Sequence, residues 1–514
     1  MDLGMRVSAL LWADILASFA FFVMQKYLTD VWELSFTHAA GILNIWEGIS
    51  MILRVFFLFL VDALLGNFKM LLISSTAYSL GIGFVAMSTP PVLANSTNTC
   101  KQYEPKCVGH TQKVLFYTGM GLVAVGIAGN LVSVKPFLKE QRGMFGYDLD
   151  FLNLSLPPVI FWVALIPIIG AIALPSLKPW SLRFGIPAIF TAFATLHFLS
   201  GSLHYLKGGC RGSPLTNVCR VFVASFYKKS KRFPPDSNQS SRTRFLRCLE
   251  KAAIVLPEDQ VKNRWRLCSV EEVEEAKIVV RMIPMWLTFI ICGIVSSMGN
   301  TYFIEQASHM NCKLGNWKVP LQILLLFYRW THRGFSSLAV RFLRFLNRSQ
   351  KYAPPIMGIA IAMIFSILCC ITAAAIEKWR LNVTRSHGLL DKPDEDTPMS
   401  VYWLLFQFFL LAGLDSFFQK SVAALYKDQA PKSMRKYLHH FTKAVSGLGF
   451  IFSVLSVYVV GKVSEKEGRT NWFQYTLNRS RLDRYYWVLA ALCSVNLVVF
   501  ILVASSYRYE NREA

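Results

Sequence analysis

The chain has 514 residues, 54% of them hydrophobic and 17% charged, with a formal net charge of +23. So much apolar sequence excludes an ordinary water-soluble protein of this length. No aromatic-interleaved basic module accompanies the charge, which excludes nucleic acid as the partner and leaves the lipid bilayer.

A hydrocarbon core of ~30 Å takes about 20 apolar residues per helix. Twelve such segments recur, near 8–28, 38–61, 70–90, 114–135, 157–175, 184–206, 278–304, 318–340, 355–376, 401–426, 438–462 and 485–507. The first begins almost at Met1 and lacks a small-residue cleavage site, so it is expected to be a retained helix rather than a signal peptide. Asp14 lies in its middle. An ionisable group at bilayer depth costs ~2.5–3.5 kcal/mol on insertion scales, so it is expected to face a cavity or a partner. The second span carries another acid, Glu47, with Arg54 two turns on as its structural alternative partner. Asp62, Gly66 and Lys69 fall in the loop that follows.

Next, on the opposite face, come the sequon Asn95-Ser96-Thr97 and the cysteines Cys100 and Cys107, a candidate disulfide. The fourth span ends at Lys135. The fifth is broken by Pro157, Pro158, Pro167 and Pro175. A basic segment, 207–275, follows the sixth; it holds Lys228, Lys229, Lys231 and Arg232, a polar stretch at 233–243 expected to lack fixed structure, and helical spacing from Phe245 to Val255. Glu residues in Val270–Lys277 suit a helix N-terminus leading into span seven. Span eight carries Arg329, His332 and Arg333, and Arg341, Arg344 and Arg348 follow it. Asn382, in a second sequon, precedes span ten, which contains Asp415 and Lys420. Lys and Arg gather in loops that an even span count puts on one side, which places those loops and both termini in the cytoplasm.

These elements predict an all-α membrane protein: twelve transmembrane helices in two six-helix bundles, 1–206 and 276–514, joined by a cytoplasmic basic linker, 207–275. That layout suits a secondary transporter with its substrate site between the halves. No H-E-x-x-H, C-x-x-C pair, P-loop or G-x-S-x-G is present, so no enzyme activity, metal or other cofactor is predicted.

Several motifs narrow this further. Asp62-Ala-Leu-Leu-Gly66-Asn-Phe-Lys69 resembles a D-x-x-L-G-(R/K)-(F/Y) gating loop. Phe245-Leu-Arg-Cys-Leu-Glu-Lys-Ala-Ala253, Asp428-Gln-Ala-Pro-Lys-Ser-Met-Arg435 and Leu477-Asn-Arg-Ser-Arg-Leu-Asp483 resemble F-R-F-L-D-K-A-A, D-Q-x-P-x-S-M-R and L-N-x-A-R-L-D. Together, in this order, they resemble the plant nitrate and peptide transporter family (the proton-dependent oligopeptide transporters of the major facilitator superfamily) along nearly the whole chain. The resemblance implies alternating access, with Lys135 of Val134-Lys135-Pro136 as a cavity-facing cation.

Departures from the family pattern carry the functional expectation. Members that couple to protons usually have E-x-x-E-R or E-x-x-E-K in span one; here Asp14 remains, and Ala17 and Ser18 stand where the second acid and the cation belong. The acid usual near the end of span ten is Ala424. Glu47 is a second acid that could compensate span one; with the other two acids missing, Lys135 kept and Lys420 added, the expected cavity is less negative than a peptide carrier's. The reading is therefore a carrier of nitrate or a similar small anion, weakly or not coupled to protons, in the plasma or vacuolar membrane. The alternatives are a proton-coupled carrier of peptides or other small metabolites, and a non-transporting membrane sensor or scaffold.

Overall fold

A backbone in lipid must satisfy its own hydrogen bonds, and the apolar segments do so as helices. The computed structural model describes residues 3–97, 99–145, 169–170, 172–174, 177, 179–209, 212–229, 246–253, 265, 268–348, 354–392 and 395–506. Most of the predicted span 157–175 and the stretch 233–243 lie outside the described residues.

The first half comprises α1 (Leu3–Phe22), α2 (Met24–Asp30), α3 (Phe36–Leu60), α4 (Gly66–Met87), the short α5 (Ala94–Thr97), α6 (His110–Phe145) and α7 (Trp180–Leu199). Between the halves lie α8 (Pro214–Tyr227) and α9 (Arg247–Glu250). The second half has α10 (Val270–Ser296), α11 (Tyr302–Ser308), α12 (Gln322–Arg348), α13 (Pro354–Ser386), α14 (Leu405–Gln429), α15 (Arg435–Ser464) and α16 (Leu482–Ser506). Strands are marginal. β1 (Met310–Asn311) pairs in parallel with β4 (Thr397–Ser400), and β2 (Lys313–Leu314) pairs antiparallel with β3 (Trp317–Lys318).

Among the described residues, nine stretches are long and apolar enough to cross a membrane, and one of them, Phe36–Met87, holds both α3 and α4. The predicted first span is broken after Phe22, and the seventh after Ser296. Helix starts follow local chemistry. Ser269 and Glu272 form a reciprocal capping box at the start of α10, and Ser35 accepts from the His38 amide at the start of α3.

The linker corrects part of the sequence reading. Of the helix expected over 245–255, the described residues show a helical turn, Arg247–Glu250, continued by a 3-10 turn, Lys251–Ala253. The longer helix is α8, capped by Ser213 with Pro214 in its first turn. Its Val218, Val221 and Ala224 are buried while Phe226 is 79% exposed.

Small residues set the helix crossings, as lipid-facing bundles require. A Cβ on Gly48 would lie 2.6 Å from the Gly447 carbonyl, so α3 and α15 touch backbone to backbone across the two halves. Gly81 and Gly119 do the same for α4 and α6. The α3–α15 seam is antiparallel. It runs from Asn44, whose Nδ2 donates to Ser453 Oγ at 3.0 Å, to Asp62, which accepts from Tyr437 Oη at 2.8 Å. The end carrying Asp62 takes the label inner, and the end carrying the Cys100–Cys107 loop the label outer, after the sidedness expected from the basic loops.

Candidate functional site

Where α3, α10, α12, α14 and α15 converge, a cavity of about 290 Å³ opens between the halves. Its polar lining comes from both halves. Glu47 stands on α3. Asn300 lies in the break between α10 and α11, Tyr328 and Arg329 on α12, Asp415 on α14 and Lys443 on α15. The breaks matter here, because ending α10 at Ser296 lets Asn300 turn inward. Asn300 Nδ2 donates to Glu47 across the halves at 3.4 Å.

The cavity carboxylates are held by neutral donors. Asp415 accepts from Tyr328 Oη at 2.5 Å and from Ser296 Oγ at 2.7 Å. Asp14, outside the lining, accepts from Tyr78 Oη at 2.9 Å. It lies within electrostatic reach of Arg329 and remains solvent-accessible. The cations are differently placed. Arg329 Nη2 donates to Ser18 Oγ at 2.7 Å, and its guanidinium carbon lies 5.1 Å from the centre of the Phe19 ring. Among the described residues, Lys443 makes no hydrogen bond or ion pair. An ammonium with no partner in a low-dielectric cavity is poised for an anionic group from a ligand.

Among the residues singled out from sequence, Glu47 lines this cavity, and its partner is Asn300 rather than Arg54. Lys135 is exposed on α6, outside the lining, and faces His439 of α15. Lys420 is also exposed and outside the lining; Asp415, its expected structural partner, is engaged by Tyr328 and Ser296 instead.

In the gating loop, Gly66 takes φ +73°, a conformation open to glycine, at the turn into α4. Asp62 reaches the first turn of α15, 3.7 Å from Lys436 Nζ and bonded to Tyr437. Lys69 is exposed. Cys100 and Cys107 are joined as a disulfide. Asn95 and Asn382 are exposed at the outer end, Asn382 within the last turns of α13.

Sequence reasoning missed Lys443, Asn300 and Tyr328, and it read Arg329 only as a flaw in span eight. Charges inside an apolar span were the available signal, and Lys443 and Arg329 both carried it. A second miss lies near the outer end. Arg380 is fully buried, pairs with Glu377 through Nε and Nη2 at 2.8 Å each, and donates through Nη1 to Asn478 at 2.7 Å. Gln306 completes Glu377 at 2.7 Å.

Comparison with known proteins places this geometry. Residues 68–473 match the POT family. The chain is 37% identical to the Arabidopsis thaliana "Protein NRT1/ PTR FAMILY 5.5", covering 98% of this chain and 96% of that protein. It is 29% identical to "Protein NRT1/ PTR FAMILY 5.4" from the same plant, covering 97% and 93%. Among solved structures, an auto-inhibited POT family peptide transporter superposes with a TM-score of 0.68 at 16% identity, covering 99% of this chain and 98% of the other. A POT family transporter in complex with 5-aminolevulinic acid superposes with a TM-score of 0.62 at 10% identity, covering 97% and 96%. At these identities the structural likeness speaks for the fold.

Proposed function

The chain belongs to the POT family, a family of membrane transporters, and from that premise we propose that it carries nitrate or a similar small anion by alternating access. One observation carries this reading. In the cavity between the halves, Glu47 and Asp415 are each bonded to neutral donors, while Lys443 has no partner among the described residues. A zwitterion's amino group would have to share carboxylates that already accept from Tyr328, Ser296 and Asn300. An anionic group meets an ammonium that makes no hydrogen bond or ion pair among the described residues.

Proton coupling through span one is weak or absent in this reading. Ala17 and Ser18 supply neither the second acid nor the cation, which leaves one carboxylate to do the work of a cluster. The basic loops support cytoplasmic termini, in a plasma or vacuolar membrane.

A second reading, a proton-coupled carrier of peptides or other small metabolites, is favoured by one contact. Arg329 reaches Ser18 from the other half and brings a cation beside Asp14. Labelled nitrate and dipeptide uptake in expressing cells at acid and neutral pH separates the two. The anion reading expects saturable nitrate flux, lost in Lys443→Gln and little changed by acidity. Dipeptide flux that rises with acidity and vanishes in Asp14→Asn would establish the second reading instead.

A further inference from the structure

Below the cavity, toward the inner end, the seam between α3 and α15 gathers further cations around Lys443, which lines the cavity. Its antiparallel register pairs Asn44 with Ser453, Gly48 with Gly447 and Asp62 with Lys436 and Tyr437. Between the last two pairs, that register sets Arg54 opposite the turn from His440 to Lys443. His440 and Lys443 are three residues apart on α15, so they share a face. Arg54 lies within electrostatic reach of both. Lys436 is near His440, and Lys135 approaches His439 from α6.

These groups are not consumed by the protein. Arg54 Nε and His440 Nδ1 are buried without a hydrogen-bond partner. Among the described residues, no ion pair joins Arg54 to Glu47, whose carboxylate is bonded to Asn300. Buried polar side-chain atoms in folded proteins are nearly always satisfied. Like charges gathered at bilayer depth also repel one another, a cost that persists unless a counter-charge offsets it.

We infer that Arg54, His440 and Lys443 form a second anion station between the central cavity and the inner end, where a small oxyanion such as nitrate or a carboxylate pauses on its way through. The planar guanidinium offers paired N–H donors to an oxyanion's edge, the imidazole offers a third, and Lys443 is shared with the cavity above. The anion passes from station to station without crossing an uncompensated stretch of lipid depth. The inference rests on the anion reading of the cavity, since a peptide carrier has no need of it.

The test is nitrate half-saturation measured in both directions, by uptake into expressing cells and by efflux from cells preloaded to graded concentrations. Arg54→Gln and His440→Gln are expected to raise the efflux half-saturation several-fold and to leave the uptake value within about twofold. Arg54→Lys, which keeps the charge, should recover most of the difference, and thermal unfolding of each purified variant checks that it folds. Unchanged values in both directions, or an equal rise in both, would overturn the inner station and leave the cavity reading in place. Absence of saturable nitrate flux in the wild-type protein, in either direction, would overturn the cavity reading and the station with it.

Discussion

Arg329 on α12 donates to Ser18 on α1 at 2.7 Å, so a cation from the second half occupies the neighbourhood where span one has a hydroxyl. The bond joins the two halves at the wall of the cavity, and the same guanidinium sits over Phe19 and near Asp14. A charged hydrogen bond of this kind contributes a net ~1.5–3 kcal/mol. Ser18→Ala should therefore shift the equilibrium away from the state seen here by roughly 10- to 100-fold. Arg329→Gln should slow transport further, because it also strips the cavity of a cation. Initial rates in expressing cells, with surface abundance measured in parallel, check both. An unaltered rate in Arg329→Gln would show the contact to be incidental.

Glu305 predicts a pH response of the outer closure. It is 2% exposed, accepts from Gln25 Nε2 of the first half at 3.3 Å and lies 3.4 Å from His309 Nε2. Burial pushes its carboxyl up to about 7, against the pull of Gln25, Lys26 and Arg380, with Asp30 adding to the rise. Burial, with Arg380 and Lys26 nearby, pushes His309 down to about 3, so the imidazole is neutral and forms no ion pair at physiological pH. The sign follows. A carboxyl whose value is raised in the closed state supports closure in full below its ordinary value, and the support is lost as pH rises through about 7. Outside labelling of Thr29→Cys should increase between about pH 5 and about pH 7 and level off above, and Glu305→Gln should flatten that rise. A rise of the same size in Glu305→Gln would assign it to another group.

The twelve-span frame was legible because lipid forces apolar segments of fixed length into helices, whatever the tertiary contacts. The site was less so. On α14, Gln419 lines the cavity and Lys420 does not, although they are neighbours; one residue turns a helix by about 100°. Sequence could therefore mark Asp415 and Lys420 as charges in a span without saying which faced inward. Lys443 went unread because a lone Lys near a predicted span end looks like a snorkelling residue. Only the α3–α15 contact, set by Gly48 and Gly447, turns it toward Glu47 and Asp415. The helix Pro214–Tyr227 escaped for a different reason. Its buried face packs against α10, and its outward face also carries large apolar residues, Phe222, Val223 and Phe226, which blurs the helical alternation.

That glycine contact yields a prediction of its own. A Cβ on Gly447 would lie 2.7 Å from the Gly48 carbonyl, a distance that real side chains do not adopt. Gly447→Ala should push α15 from α3 and cost ~1–3 kcal/mol, as overpacking does. Because the seam aligns both Lys443 and Arg54, transport should fall by more than the loss of folded protein explains. Thermal unfolding in detergent and flux per folded transporter separate the two effects.

Glu377 and Arg380 give the sharpest stability contrast. Both side chains are fully buried, and the pair is completed by Gln306 and Asn478. Such a pair adds little over apolar residues of similar volume, but removing one partner strands the other's charge at a cost of about 3–5 kcal/mol. Arg380→Met alone should therefore destabilise the protein severely, because the buried Glu377 retains only Gln306 as a partner among the described residues. Glu377→Gln alone should be milder, since the amide oxygen still accepts from the guanidinium and Asn478 still bonds it. The double variant Glu377→Leu with Arg380→Met should recover much of the loss, with the residual set by the unpaired Gln306 amide and Asn478 carbonyl. Thermal unfolding of the three purified variants ranks them. A double variant no more stable than Arg380→Met would show that the four-residue network, rather than the stranded charge, holds the outer end together.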